Sequence, residues 1–196
     1  MNLDYRQIFI DQYKEHITRR GADRLLEWLI SSDFFTAPAS TRFHAAYEGG
    51  LVEHSLNVYK VFMKKHFVEG EDDPESVAIA TLLHDICKAG FYEVSYRNRK
   101  NEAGTWEKVP YYTINDRFPY GHGEKSVFLI ERFMRLKNEE AFAIRWHMGG
   151  FDDSAKAGSF AISHAFEQYP LAVKVHLSDL EATYLCENRD GNDSEG

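Results

Sequence analysis

The chain is poor in cysteine: only Cys87 and Cys186 among 196 residues. Two thiols exclude the dense disulfide framework of a small secreted domain, and both lie in apolar helical patterns, so each is expected to be a buried small hydrophobe in a reducing cytoplasm. No apolar run approaches the length needed to cross a bilayer, and no leader-like pattern opens the sequence, so a membrane partner is not expected. Basic residues are also the minority, 23 against 31 acidic, for a net charge of −8. That balance argues against extensive binding to long nucleic acid. Internal repeats are absent.

What is present suffices for one substantial core without covalent staples. The expected organisation is a single domain over residues 1–186, with helices of residues 1–43 packed on it, and a polar, glycine-bearing disordered tail at 187–196. The charge is uneven: Lys88 to Lys137 holds 10 basic and 6 acidic side chains, leaving 13 and 25 elsewhere.

The segment Thr81-Leu82-Leu83-His84-Asp85-Ile86-Cys87-Lys88 sets an imidazole beside a carboxylate at the end of an apolar run. Val77, Ala80 and Leu83 recur at helical spacing and Gly90 supplies a stop, which predicts His84 and Asp85 in the last turn of a buried helix. Burying an ionised carboxylate is costly unless it is paired or bound to a cation, and a His-Asp set of nitrogen and oxygen donors suits a divalent transition ion. A His-Asp hydrogen bond in a core is the plainer alternative for an isolated pair.

The pair is not isolated. A helix expected from Gly50 to Phe67 puts His54 on the same stripe as Leu51, Val58, Val61 and Phe62. A last helix beginning at Pro170 puts Asp179 on one face with Ala172, Val175, Thr183 and Cys186. His176, one turn before Asp179, either hydrogen-bonds a ligand or simply packs. Two further histidines sit at helix ends. His122, flanked by Gly121 and Gly123, opens a helix toward Met134, where free N–H groups favour an anion. His147 closes a helix begun by Asn138, just before Gly149-Gly150.

Between these lies a change of period. Phe91 to Tyr96 and Trp106 to Thr113 are aromatic and β-branched, separated by turn residues from Asn98 to Gly104, and predict a β-hairpin. Its Arg97, Arg99, Lys100 and Lys108 either reach toward a phosphate or keep an exposed ribbon soluble. The first forty residues predict amphipathic helices over Tyr5–Thr18 and Asp23–Ile30.

In order and context, His54, His84-Asp85 and Asp179 resemble the H...HD...D signature of the HD-domain metal-dependent phosphohydrolases, over about His44 to Leu185. The segment from Phe43 to His54 resembles the HD domain of certain bacterial 3′-to-5′ exoribonucleases, whose preceding OB-fold module has no room ahead of His44. The resemblance implies a mostly α, HD-type helical bundle with one inserted β-hairpin, hydrolysing a nucleotide or other small phosphate ester with a metal-activated water. It implies His54, His84, Asp85 and Asp179 as ligands of a first ion, Mn, Fe, Ni, Co or Zn, with Mg also possible. His122 and His147 would hold a second ion or contact substrate phosphate. Asp85 and Lys88 would serve catalysis, and Lys88 and Lys125 would join the phosphate contacts. A di-iron HD oxygenase, the exoribonuclease and a non-catalytic nucleotide-binding HD module are the alternatives.

Overall fold

Asp4 caps the first helix by accepting from the Gln7 amide, and α1 (Tyr5–His16) turns Phe9 and Tyr13 into the core. The computed structural model describes residues 4–42 and 44–187. α2 (Ala22–Ser31) starts at Gly21, whose φ of +99° and close approach to the Phe133 carbonyl exclude a side chain. Its Leu25, Leu26 and Leu29 pack in the same core as Phe9 and Tyr13.

A loop then folds back on itself to launch α3 (Gly50–Lys65). Gly50 permits this, because a Cβ there would lie 2.0 Å from the Ala45 carbonyl oxygen. Leu51, His54, Val58, Val61 and Phe62 of α3 are all buried, as their spacing predicts. α4 (Pro74–Leu82) is the central helix, capped by the Asp73 side chain and opened by Pro74, and every residue from Ser76 to Leu82 is buried.

α4 ends earlier than its sequence predicts. Leu83 leaves helical geometry at φ −113°, ψ 2°, so His84 and Asp85 follow the helix rather than closing it, and a short 3-10 turn, Ile86–Lys88, comes next. The hairpin is longer than expected: β1 (Tyr92–Lys100) pairs antiparallel with β2 (Trp106–Ile114), Tyr92 opposite Ile114 and Lys100 opposite Trp106. Its loop shrinks to five residues, closed where the Thr105 amide donates to Asn101 Oδ1 at 2.9 Å.

α5 (His122–Glu131) and α6 (Asn138–Trp146) cross closely at Gly123, whose Cβ would lie 2.2 Å from the Arg145 carbonyl. After the short α7 (Asp153–Lys156) and α8 (Ala161–Gln168), Pro170 opens α9 (Pro170–Glu181), which packs on α3 and α6. Its last turn widens into a π-helix, Ala182–Cys186. Two expectations fail there. Cys186 is exposed, because the wide turn rotates it off the inner face. Glu187 is not part of a loose tail, since its carboxylate is buried against α3; residues 188–196, the rest of that expected tail, lie outside the described residues. Among the described residues no helix is long and apolar enough to cross a membrane.

Candidate metal centre

Four places in the fold deliver polar side chains to one buried point. α3 brings His54, the turn after α4 brings His84 and Asp85, the end of α6 brings His147, and α9 brings Asp179. His122 comes from the first position of α5. His54, His84, Asp85 and His147 are each at most 2% exposed.

Asp85 is the hub, with its two oxygens facing different histidines. Oδ2 lies 3.7 Å from His54 Nε2 and 3.4 Å from His84 Nε2. Oδ1 lies 2.8 Å from His122 Nε2 and 3.5 Å from His147 Nε2. Asp179 Oδ1 completes the first set at 3.2 Å from His54 Nε2, the same distance that separates the His54 and His84 Nε2 atoms. His84 stands between the two sets, its ring centroid 5.1 Å from that of His54 and 4.8 Å from that of His147.

The far nitrogens show what the near ones can do. A carbonyl only accepts, so the 2.7 Å contact of His84 Nδ1 with the Thr81 carbonyl and the 2.6 Å contact of His147 Nδ1 with the Ile144 carbonyl fix both as Nδ1–H tautomers. His54 Nδ1 donates likewise to Glu187 Oε1 at 2.9 Å. In their neutral forms all three rings turn an Nε2 lone pair inward, the arrangement that metal-ligating histidines adopt. Among the described residues, two converging atoms, Asp85 Oδ1 and His147 Nε2, are buried without a hydrogen-bond partner. Buried polar atoms of this kind, turned toward one another, fit a bound cation.

Electrostatics agree. Burial alone would raise the Asp85 pKa, but Lys88, His84 and His122 outweigh it and hold the carboxyl well below the usual range. For His54 burial opposes protonation, yet hydrogen bonds to Asp179 and Glu187 push its pKa up to about 10, so without metal a proton occupies the space between the donors. His147 moves the other way, its pKa lowered by burial despite Asp85.

The expected substrate contacts fall on the His122 side. A cleft of about 210 Å³ is lined by Cys87, Lys88, Phe91, Asp116, His122 and Lys125. Lys88 Nζ lies 2.7 Å from Asp85 Oδ2, and Lys125 Nζ, 2.7 Å from Asp116, sits over the Phe91 and Phe118 rings. His147 is too deeply buried to line the cleft. His176 Nδ1 donates to the His147 carbonyl at 2.6 Å and so supports the backbone of that residue.

Sequence reasoning missed three neighbours. Glu187 reads in the sequence as tail, Cys87 lies 3.4 Å from His122 Nδ1, and the His44 ring is 4.9 Å from that of His54. For Cys87 the signal was there: it shares the turn that carries Asp85.

Helices that converge inner faces and terminal turns on a buried His-Asp cluster, one that could hold a metal ion, define a helical domain of the H...HD...D kind. The HD domain model matches residues 51–185, and the chain belongs to the HD domain family. It is also similar to the dihydroneopterin 2′,3′-cyclic phosphate phosphodiesterase of Methanocaldococcus jannaschii, 31% identical over 84 residues. That match covers 40% of this chain and 31% of the relative, so the chain spans under a third of the protein it resembles. No solved structure matches.

Proposed function

We propose that the chain is a metal-dependent phosphohydrolase acting on a small phosphate ester, a nucleotide or cyclic phosphodiester, with a metal-activated water. The observation that carries this reading is Asp85, whose two oxygens address His54 and His84 on one side and His122 and His147 on the other. His54, His84, Asp85 and Asp179 would hold one ion, and Asp85, His122 and His147 a second. A bound divalent ion lowers the pKa of its water toward neutrality and polarises a phosphoryl oxygen. Mn, Fe, Ni, Co and Zn suit this mixed nitrogen and oxygen donor set.

The protein's own part is orientation and charge. The Nδ1–H bonds to the Thr81 and Ile144 carbonyls lock the His84 and His147 rings, so they need not reorganise when substrate arrives. Lys88 and Lys125 place two ammonium groups on the cleft wall for a phosphate, and the Phe91 ring beside them offers an apolar surface to the rest of the substrate. A cleft of about 210 Å³ lies below the usual range for ligand pockets and favours a compact substrate. The phosphodiesterase activity named for the archaeal relative supports an ester of this class.

The test pairs metal analysis with phosphate release from mononucleotides and cyclic nucleotides. Asp85→Ala should lose metal and turnover together, while the same change at His16 or His66 should alter neither. An Asp85→Ala protein with full metal content and activity would contradict the assignment. Bound iron with substrate-dependent oxygen consumption, and no phosphate release, would favour the di-iron oxygenase instead.

A further inference from the structure

Two carboxylates from one stretch of chain grip one imidazole. Asp179 Oδ1 lies 3.2 Å from His54 Nε2, and Glu187 Oε1 lies 2.9 Å from His54 Nδ1. In a continuous α-helix residues eight apart sit about 12 Å apart along the axis, too far to bracket a single ring. The π-helix solves this. Ala182–Cys186 widens the last turn, the Glu187 amide donates back to the Ala182 carbonyl at 3.1 Å, and Glu187 itself is extended, with its side chain against α3. π turns inside helices recur at functional sites.

Glu187 is built into this place. Its side chain is 1% exposed, and Oε1 also accepts from Asn57 Nδ2 at 3.1 Å, one turn along α3 from His54. Among the described residues its Oε2 is buried without a partner, as is Nε2 of the neighbouring His44. A buried carboxylate with only part of its bonding capacity used is a costly feature. It is explained if Glu187 serves the imidazole it touches.

We propose that Glu187, two residues beyond the span matched by the family model, is a positioning residue for the metal ligand His54. Its carboxylate keeps the ring as the Nδ1–H tautomer, aims Nε2 at the ion and raises the donor strength of that nitrogen. The π turn makes the first half-site depend on the chain's C-terminal turn as well as on the motif residues. This rests on the metal-centre reading above. Outer partners of this kind are typically worth about 10- to 100-fold in metal affinity.

The experiment titrates Co(II) into metal-free protein against a competing chelator and records the visible Co(II) bands. Wild type, Glu187→Ala, Glu187→Gln and Glu181→Gln are compared. Glu181 ends α9 and pairs with Lys65 at 2.9 Å, outside the cluster. Glu187→Ala should weaken binding by about 10- to 100-fold. Glu187→Gln, which keeps the shape and a neutral acceptor oxygen, should lose less affinity but still shift the bands, and Glu181→Gln should match wild type. Circular dichroism of the metal-free proteins reports folding, and if the alanine variant unfolds the glutamine variant decides. Wild-type affinity and bands in Glu187→Gln and in any folded Glu187→Ala would overturn the proposal with the metal centre intact. Failure of the wild-type protein itself to bind Co(II) would overturn the metal-centre reading.

Discussion

His84 and His147 are held alike within the centre. Each follows the last turn of a helix, each donates Nδ1–H to the carbonyl three residues earlier, at 2.7 and 2.6 Å, and their ring centroids are 4.8 Å apart. Both helix ends satisfy an orphan carbonyl with the same bond that aims Nε2 inward. His84 nevertheless groups with His54 and Asp179 as well as with Asp85 and His147, whereas His147 faces Asp85 Oδ1, the oxygen that His122 also meets.

The two sets of histidines should therefore respond differently. His54→Ala or His84→Ala should abolish binding of the first ion. His122→Ala or His147→Ala should leave about one ion per chain yet cut turnover by several kcal/mol of transition-state stabilisation, since clamping a phosphoryl group is worth roughly that. Metal-to-protein ratios across the four variants decide the matter. Equal loss of all metal in each would mean one interdependent centre.

Metal affinity should fall as pH falls. In metal-free protein His54 titrates at about 10, because Asp179 and Glu187 outweigh the opposing effect of burial, and the ion must displace that proton. Below pH 10 each unit of acidification should weaken binding by up to about tenfold for one proton displaced. The same raised pKa stabilises the metal-free fold fully below the ordinary histidine value, and that contribution is lost as pH rises through about 10. Calorimetry in buffers of different ionisation enthalpy counts the proton released. A pH-independent affinity would contradict the protonated resting state.

Arg19, between α1 and α2, should be the main electrostatic tie of the N-terminal helices. Its guanidinium meets Glu140 at 2.7 and 2.8 Å and Glu75 at 3.1 Å, and the Glu140 side chain is fully buried. Arg19→Ala strands that carboxylate and should cost about 3 kcal/mol, at the lower end for a broken buried pair because Ser76 and the Lys137 amide still donate to it. Urea unfolding of the metal-free protein measures this, with metal stoichiometry unchanged. A loss below about 1 kcal/mol would place the pair with ordinary surface bridges.

Small substrates should outperform long nucleic acid. A strand tracked along a groove makes log affinity fall with log salt at about −0.7 per phosphate contacted, whereas a nucleotide held by one or two cations gives a shallow slope. Turnover of mononucleotides, dinucleotides and a 3′-labelled oligoribonucleotide at low and physiological salt compares them. Efficient stepwise degradation of the oligonucleotide with a steep slope would restore the exoribonuclease alternative.

Much of this centre could be read from spacing. His54 shares a stripe with Leu51, Val58 and Phe62, and Asp179 follows Ala172 and Val175, so periodicity alone turns both inward. The end of α4 was less legible. Gly90 marked where helical geometry had to have stopped, while Leu83, a residue with no stop signal, is where it does stop. The hairpin strands outran their aromatic pattern because Asn98, Arg99 and Lys100 pair as well as turn. Glu187 was hidden for a different reason. A π turn has no periodic signature, and without it the polar residues after Cys186 read as a solvated end.

Anomalous diffraction from crystals soaked in Mn(II) locates ions at Asp85 without reference to activity. Two peaks flanking Asp85 are expected, one on Oδ2 among His54, His84 and Asp179, the other on Oδ1 among His122 and His147. A fully soaked crystal with no peak on either oxygen of Asp85 would contradict the metal-centre reading.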